Sequence, residues 1–352
     1  MKNKPKRVGL YDPYLDTLGG GEKHILSILE VFAQKGYKID IFWDKDLSKE
    51  IKNRFSLQLI NQLEWVDKKN LKNLWPYDYF FYVTDGSYFF SGAKKNFVFC
   101  MVPNRKLYNL NIINRLKLHN YRFISNSPYT TKWLKEWSIN PVTIPPFIED
   151  ELFTEGKNKK EKTILAVGRF FSHLHSKKQD LMIETFKKLK KNNKEFSDYK
   201  LILAGGLRSE DQKYFDYLKK LAEGDPSIIF KTNTKLTELY KLYGLSSYFW
   251  HFAGLGIDEK KNPDLVEHFG IAPLEAMASG CLTFCFKAGG PKELIKNNEN
   301  GFLFTSPDEL IAKMVKINFD KALQEKIIKN GKQFVKENFS FETFKNKVLK
   351  II

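Results

Sequence analysis

The sequence predicts an α/β protein of two domains, each a parallel β-sheet covered by helices. Three observations carry this. At 352 residues the chain is long for one core and divides well into two of ordinary size. Short apolar runs alternate with amphipathic stretches through both halves, as strands joined by helical crossovers do. Residues 151–162 are polar and lysine-rich, with no apolar period after Phe153, so a linker is expected there.

In the first half, residues 1–150, strands are expected at 7–11, 38–42, 79–84, 96–101 and 121–125. Helices are expected at 23–34, ended by Gly36, and from Ser127 and Pro128 through Trp137. The second half restarts with strands at 163–167, 201–204, 227–230, 248–252 and 282–286. Its helices fall at 178–191, 209–222, 308–317, 321–337 and 341–349. The expected layout is therefore a first domain 1–150, a linker 151–162, a second domain 163–338 and a terminal helix 339–352. In open α/β sheets ligands bind beyond the carboxyl ends of the strands, so the turns that follow strands are the places to look.

Composition excludes several classes. Hydrophobic residues make up 42% of the chain and aromatics 15%, enough to bury a core and too much for disorder. No run approaches ~20 apolar residues, so no membrane span is expected. The apolar run after the basic N-terminus, 8–11, is too short for a signal-peptide core, which makes the cytoplasm the expected location. Cys100, Cys281 and Cys285 lack Cys-x-x-Cys spacing and read as small buried apolar side chains. The net charge of +17 divides almost equally between the halves and is mostly lysine. A diffuse lysine excess argues against a nucleic-acid partner, while still favouring approach to anionic lipid or anionic substrates.

Four constellations can carry chemistry. Gly19, Gly20, Gly21 and Glu22 follow the first strand and open a helix. Glycines there allow close backbone approach to a ligand, and a helix N-terminus offers free N–H groups to an anion. The plainer reading is a turn that needs positive φ. Arg169 follows the strand 163–167, and Lys177 and Lys178 follow it in turn. A guanidinium and an ammonium suit a diphosphate, although two lysines at a helix start are also ordinary solvated charge. Glu267 and Glu275 bracket the turn Phe269–Gly270 and the start of a helix at about Ala272, with Pro273 suited to the first turn. Two carboxylates flanking free amides can hold hydroxyls on either side of a phosphate. A Glu in a first helical turn is also favourable by itself. Finally, Ala288, Gly289, Gly290 and Pro291 join a strand to a helix. His251, at a strand end, is read equally as structural or as a ligand contact and stays outside the site set.

Together these segments resemble the retaining glycosyltransferases of family 4, with GT-B architecture. The resemblance covers almost the whole chain. It is strongest from Trp250 to Gly256, through Glu267 to Gly280, then at Gly289, Gly290, Glu293, Asn300 and Gly301. Glu-x7-Glu enclosing Phe-Gly is its most specific feature. It implies two Rossmann-like domains facing across a cleft, with the terminal helix returning to the first. It implies Glu267, Arg169 and Lys177 as the catalytic set. Arg169 and Lys177 would bind the donor diphosphate, Glu267 the transferred sugar and Glu275 the ribose hydroxyls. Phe269, Gly270 and Ile271 would meet the phosphate, and Gly20 and Gly21 would line the cleft from the first domain. The donor would be a nucleoside-diphosphate sugar, with no cofactor and no metal, and a hexose would pass with retention to a glycan or lipid-linked acceptor. One departure stands out: 99–103 has no His where many relatives carry one. A sugar-nucleotide epimerase and a catalytically silent nucleotide-sugar binder are the rival readings. The segment 105–122 reads either as a basic amphipathic helix for a membrane surface, at the inner face, or as a packed helix with a basic outer side.

Overall fold

Two parallel sheets organise the chain in a computed structural model that describes residues 5–55, 57–155, 159–172 and 176–352. The chain forms two compact units, Met1–Pro146 with Phe344–Ile352, and Phe147–Thr343.

The first unit runs β1 (Arg7–Tyr11), α1 (Gly20–Gln34), β2 (Lys38–Phe42), α2 (Ser48–Arg54), β3 (Leu63–Val66), β4 (Tyr79–Val83) and β5 (Lys95–Cys100). It continues with α3 (Ile112–Lys117), β6 (Tyr121–Ser125), α4 (Pro128–Glu136) and β7 (Val142–Thr143). The sheet order is β3-β2-β1-β4-β5-β6-β7, with parallel pairing throughout. Every residue of β4 is buried and only Lys95 of β5 is exposed, as expected of central strands covered on both faces. The strand order reverses between β1 and β4, so the loop after β1 lies at the switch point.

That loop works differently from the plainer expectation. None of Gly19, Gly20 and Gly21 has positive φ. Glu22 caps α1 instead: its Oε2 accepts from the Gly19 N–H at 2.6 Å and from Thr17 Oγ1 at 2.7 Å. Gly21 packs closely: a Cβ there would lie 2.1 Å from the sulfur of Met101, so a larger residue would make that side chain move. The stretch lacking His thus places a thioether against the glycine loop.

The second unit contains α5 (Asp150–Glu155), β8 (Glu161–Val167), α6 (Gln179–Asn192), β9 (Lys200–Gly205), α7 (Gln212–Ala222), β10 (Ile228–Thr232) and α8 (Leu236–Leu245). There follow β11 (Ser246–His251), α9 (Ile271–Ala278), β12 (Leu282–Phe286), α10 (Pro291–Leu294), β13 (Phe302–Phe304), α11 (Pro307–Asn318) and α12 (Lys321–Phe339). The last helix, α13 (Phe341–Leu349), begins in this unit and ends in the first. The six-stranded sheet has the order β10-β9-β8-β11-β12-β13. Alternate strand residues enter two separate cores: Ile164, Leu203 and Trp250 join one, Leu165, Ala204 and Phe249 the other. Helices α6, α7 and α11 cover the first face and α5, α8 and α9 the second, while α12 gives Ile327 to the first core and Val335 and Phe339 to the second.

The expected linker 151–162 is different in part. Residues 150–155 form α5, whose Leu152 is fully buried against α8, so the unit boundary falls earlier, at Pro146. Residues 156–158 of that linker lie outside the described residues. The expected single helix in 105–122 is also broken: a short 3-10 turn at Arg105–Tyr108 and the six-residue α3 replace it. Strand β3 and helices α2 and α8 have no counterpart among the expected elements.

Candidate active site

The order of the second sheet reverses between β8 and β11, which places the turns after these two strands side by side at the carboxyl edge. Gly168, Arg169 and Lys177 follow β8, and His251 closes β11. The loop that brings Glu267 comes next in the chain and ends at α9.

These residues converge. Lys177 Nζ lies 2.5 Å from Glu267 Oε2, and His251 Nε2 lies 3.1 Å from the same oxygen. Both contacts fall on Oε2, and Oε1 has no hydrogen-bond partner among the described residues. The Glu267 and Lys177 side chains keep 19% and 17% exposure, so a ligand can reach the pair, while His251 is 2% exposed. Burial works against the Glu267 carboxylate, but Lys177 and His251 outweigh it and hold its pKa well below the ordinary value. Burial lowers the pKa of His251, with Lys177 adding to it against the pull of Glu267, so the ring is neutral at neutral pH. The site therefore presents a fixed carboxylate, a fixed ammonium and a neutral imidazole.

Glycines make this convergence possible. A Cβ on Gly168 would sit 2.4 Å from Lys177 Cγ. A Cβ on Gly205 would sit 1.9 Å from the Gly168 carbonyl oxygen, so the turns after β8 and β9 are pressed together. On the other side, Gly290 N–H donates to the Glu267 carbonyl at 2.8 Å. A Cβ on Gly289 or Gly290 would lie 2.1 Å from the carbonyl of Glu267 or 2.3 Å from that of Phe269. The turn 288–291 is thus the backing plate of the Glu267 loop.

Arg169 stacks its guanidinium over Phe171 at 4.7 Å, and its carbonyl accepts from Gln179 Nε2 at 2.9 Å. Tyr214 Oη in turn donates to Gln179 Oε1 at 3.3 Å, which ties the arginine turn to α7. Lys178, the lysine passed over for Lys177, serves as the left-handed N-cap of α6 at φ 57.

Gly270 adopts φ +110 to start α9 abruptly, a conformation that favours glycine. The first intrahelical bond runs from Leu274 N–H to the Gly270 carbonyl. The amides of Ile271 and Ala272 stand ahead of that bond, at the positive end of the helix. Two expectations need adjusting here. The Phe269 side chain is 4% exposed in the core against Phe339, so only its backbone can face a ligand. Glu275 is buried, and Tyr243 Oη donates to its Oε2 at 2.8 Å, so one of its oxygens is already engaged. Gly20 and Gly21 belong to the first unit, at the start of α1.

Sequence reasoning passed over three residues of this site. His251 was recognisable as a strand end, but its partner could not be seen without the β8–β11 pairing. Gln179 reads as an ordinary first-turn residue. Glu259 accepts from Gly289 N–H at 2.8 Å and pairs with Lys292, a contact across thirty residues that has no local signal.

Comparison with known proteins places these residues in a family setting. The profile described as Glycosyl transferases group 1 matches residues 147–334, which include the whole constellation. A Xenopus laevis protein named GDP-Man:Man(3)GlcNAc(2)-PP-Dol alpha-1,2-mannosyltransferase is 33% identical over 183 residues, covering 49% of this chain and 34% of that one. The chain therefore spans well under half of that relative's length. Among solved structures, a glycosyltransferase from Rickettsia africae ESF-5 aligns with TM-score 0.76 at 18% identity, over 99% of this chain and 98% of that one. Anabaena HepE in complex with UDP aligns with TM-score 0.72 at 15% identity, over 98% of both chains.

Proposed function

Because the chain belongs to the glycosyl transferases group 1 family and has the GT-B fold, we propose that it transfers a hexose from a nucleoside-diphosphate sugar to a glycan or lipid-linked saccharide. The reaction proceeds with retention of the anomeric configuration and without a metal. The observation that carries this is the Lys177–Glu267 pair at the β8–β11 switch point, joined by three residues to the open N-terminus of α9. A diphosphate is the chemical group that such a place suits: a guanidinium, an ammonium and free amides answer its charge. Glu267, charged and with Oε1 unbonded among the described residues, meets a sugar hydroxyl beside it. Glu275, beside Tyr243, holds the ribose hydroxyls. The leaving diphosphate, stabilised by Arg169, Lys177 and the helix end, takes the proton of the incoming hydroxyl on the same face. Retention rests on the resemblance of the Glu267–Glu275 motif to that of the retaining enzymes.

The second unit takes the donor and the first the acceptor. The relative named for a PP-Dol substrate supports a lipid-linked acceptor. The three cysteines are free and buried, in keeping with the reducing cytoplasm.

A thermal-shift panel of nucleoside diphosphates and their sugars tests the donor, because a ligand of the folded state raises its apparent stability. A rise with one nucleotide's sugars and not the others names it. No shift with any would sink the reading. Glu267→Gln should lower kcat roughly 100-fold or more while nucleotide affinity changes little. Normal turnover in that variant would remove Glu267 from the reaction. The anomeric configuration of the product, read by NMR coupling, tests retention.

A further inference from the structure

We infer that α3 and its surroundings in the first unit form a docking face for a membrane rich in anionic phospholipid. The first observation is exposure. Ile112, Ile113 and Leu116 are 79%, 63% and 59% exposed. At spacings of one and four residues they share one face of the short helix. Solitary exposed aliphatics are ordinary on a protein surface; three on one helical face are not. The segment is held from beneath. Tyr108 and Leu118 are buried on either side of α3, and Asn111 caps it through the Asn114 N–H at 2.8 Å. The apolar face therefore points outward because the chain around it is anchored.

The second observation is charge. Residues 86–135 contain nine Lys and Arg and no Asp or Glu. The other residues of 1–150 hold 14 basic and 15 acidic, so this segment supplies the whole positive excess of that half. Comparing the halves, as the composition does, conceals this. Among the described residues Arg105, Lys106, Arg115, Lys117 and Arg122 form no ion pair, whereas Lys38, Lys68 and Lys94 of the same unit each have a carboxylate partner. Unpaired cations beside exposed aliphatics match a surface of lipid headgroups over hydrocarbon.

The third observation extends the face. Asn120 Nδ2 donates to the Ser91 carbonyl at 3.0 Å, bringing the end of α3 to the loop holding Phe90, which is 63% exposed. The Trp75 ring lies where a Cβ on Gly92 would be only 2.7 Å away, and Trp75 is 79% exposed. Exposed Trp and Phe suit the interfacial layer of a bilayer. No helix among the described residues is long and apolar enough to cross a membrane, so the contact is peripheral. The inference does not depend on the transferase reading, because lipid binding is measured without donor.

The test is co-sedimentation with vesicles of phosphatidylcholine alone and of equal parts phosphatidylcholine and phosphatidylglycerol. The intact chain should sediment with the anionic vesicles, more strongly at low salt, and little with the neutral ones. Arg115→Gln and Lys117→Gln should each weaken partition about fivefold. Ile112→Asp and Ile113→Asp should each weaken it on the order of tenfold. Circular dichroism should be unchanged in all four, since Ile112, Ile113 and Arg115 are exposed and Lys117 is only partly buried. Three outcomes would overturn the proposal. One is equal or no binding to both vesicle types. Another is anionic binding untouched by the two aspartates, which would reduce it to diffuse charge. The last is a dimer in sedimentation velocity that the aspartates dissociate, which would make a second copy of this chain the occupant.

Discussion

At the scale of single residues, the glycines around Lys177 separate two kinds of constraint. A methyl on Gly168 meets a side-chain stem, which can turn aside, whereas a methyl on Gly205 meets a backbone carbonyl, which cannot. Gly168→Ala should thus lower Tm only slightly but displace the ammonium from Glu267, weakening nucleotide-sugar affinity roughly tenfold by calorimetry. Gly205→Ala should lower Tm by several degrees or more, on the order of the 1–3 kcal/mol typical of overpacking. Equal effects of the two would contradict this account. The pair itself can be measured. Lys177→Met leaves a half-buried carboxylate without its cation, so it should destabilise more than Lys177→Met combined with Glu267→Gln. A coupling energy of about 1–3 kcal/mol is expected from the denaturant cycle; zero coupling would mean that the contact adds nothing. Asp12 gives a pH prediction. It is fully buried, its Oδ2 has no partner, and burial with the nearby Glu22 raises its pKa to about 8. A raised pKa means stability present when the group is protonated, below about pH 4, and lost as pH rises toward 8. Asp12→Asn, which keeps the acceptor for Tyr14 N–H, should match the parent Tm near pH 4 and exceed it by several degrees at pH 8. A constant difference across that range would exclude titration as the cause.

At the scale of elements, the sequence was most legible where burial is two-sided. The expected bounds of β1 and β2 coincide with those observed, β4 ends one residue earlier than expected, and β5 is shifted by one residue. Their apolar runs have one use, to be covered on both faces. Strand β3 escaped because it is an edge strand with no fully buried residue. Helix α8 escaped because its polar face is narrow: only Thr237, Glu238 and Lys241 are exposed among the Leu, Tyr and Gly of LTELYKLYGL. Helix α5 was hidden by its charges, since only Leu152 and Phe153 hold it to the core. The start of α9 shows an element governed from outside. Gly270 supplies the turn, but the Gly289–Gly290 loop sets where the turn sits. Gly290→Ala should therefore cost stability and, by displacing the Glu267 loop, lower kcat as well as Tm. A Tm loss with kcat intact would detach that loop from the chemistry.

For the whole molecule, the final residues belong to the first unit although the preceding helices belong to the second. Phe344, Val348 and Ile351 are buried, Phe344 lies 5.9 Å from the His24 ring, and Tyr79 Oη donates to the Ile352 carbonyl at 2.6 Å. Ending the chain after Thr343 removes three buried apolar side chains, each contributing about 1.5–3 kcal/mol. That variant should unfold at clearly lower temperature, and the loss should appear in the first unit, whose tyrosines cluster around β4. Unchanged melting would show that the terminal segment is dispensable.

What the sequence alone determined is the alternation of buried strands and covering helices, the two-unit organisation, and the residue types at the strand-following turns. These follow from local periodicity and from the backbone needs of particular positions. What the tertiary structure decided is which turns meet. The β8–β11 pairing brings Lys177 and His251 to one oxygen of Glu267, although Lys177 precedes His251 by 74 positions and Glu267 by 90, separations that no periodicity links. The tertiary structure of the first unit likewise leaves the apolar face of α3 outward, because hydrophobicity is a property of the residues while exposure depends on what folds beside them.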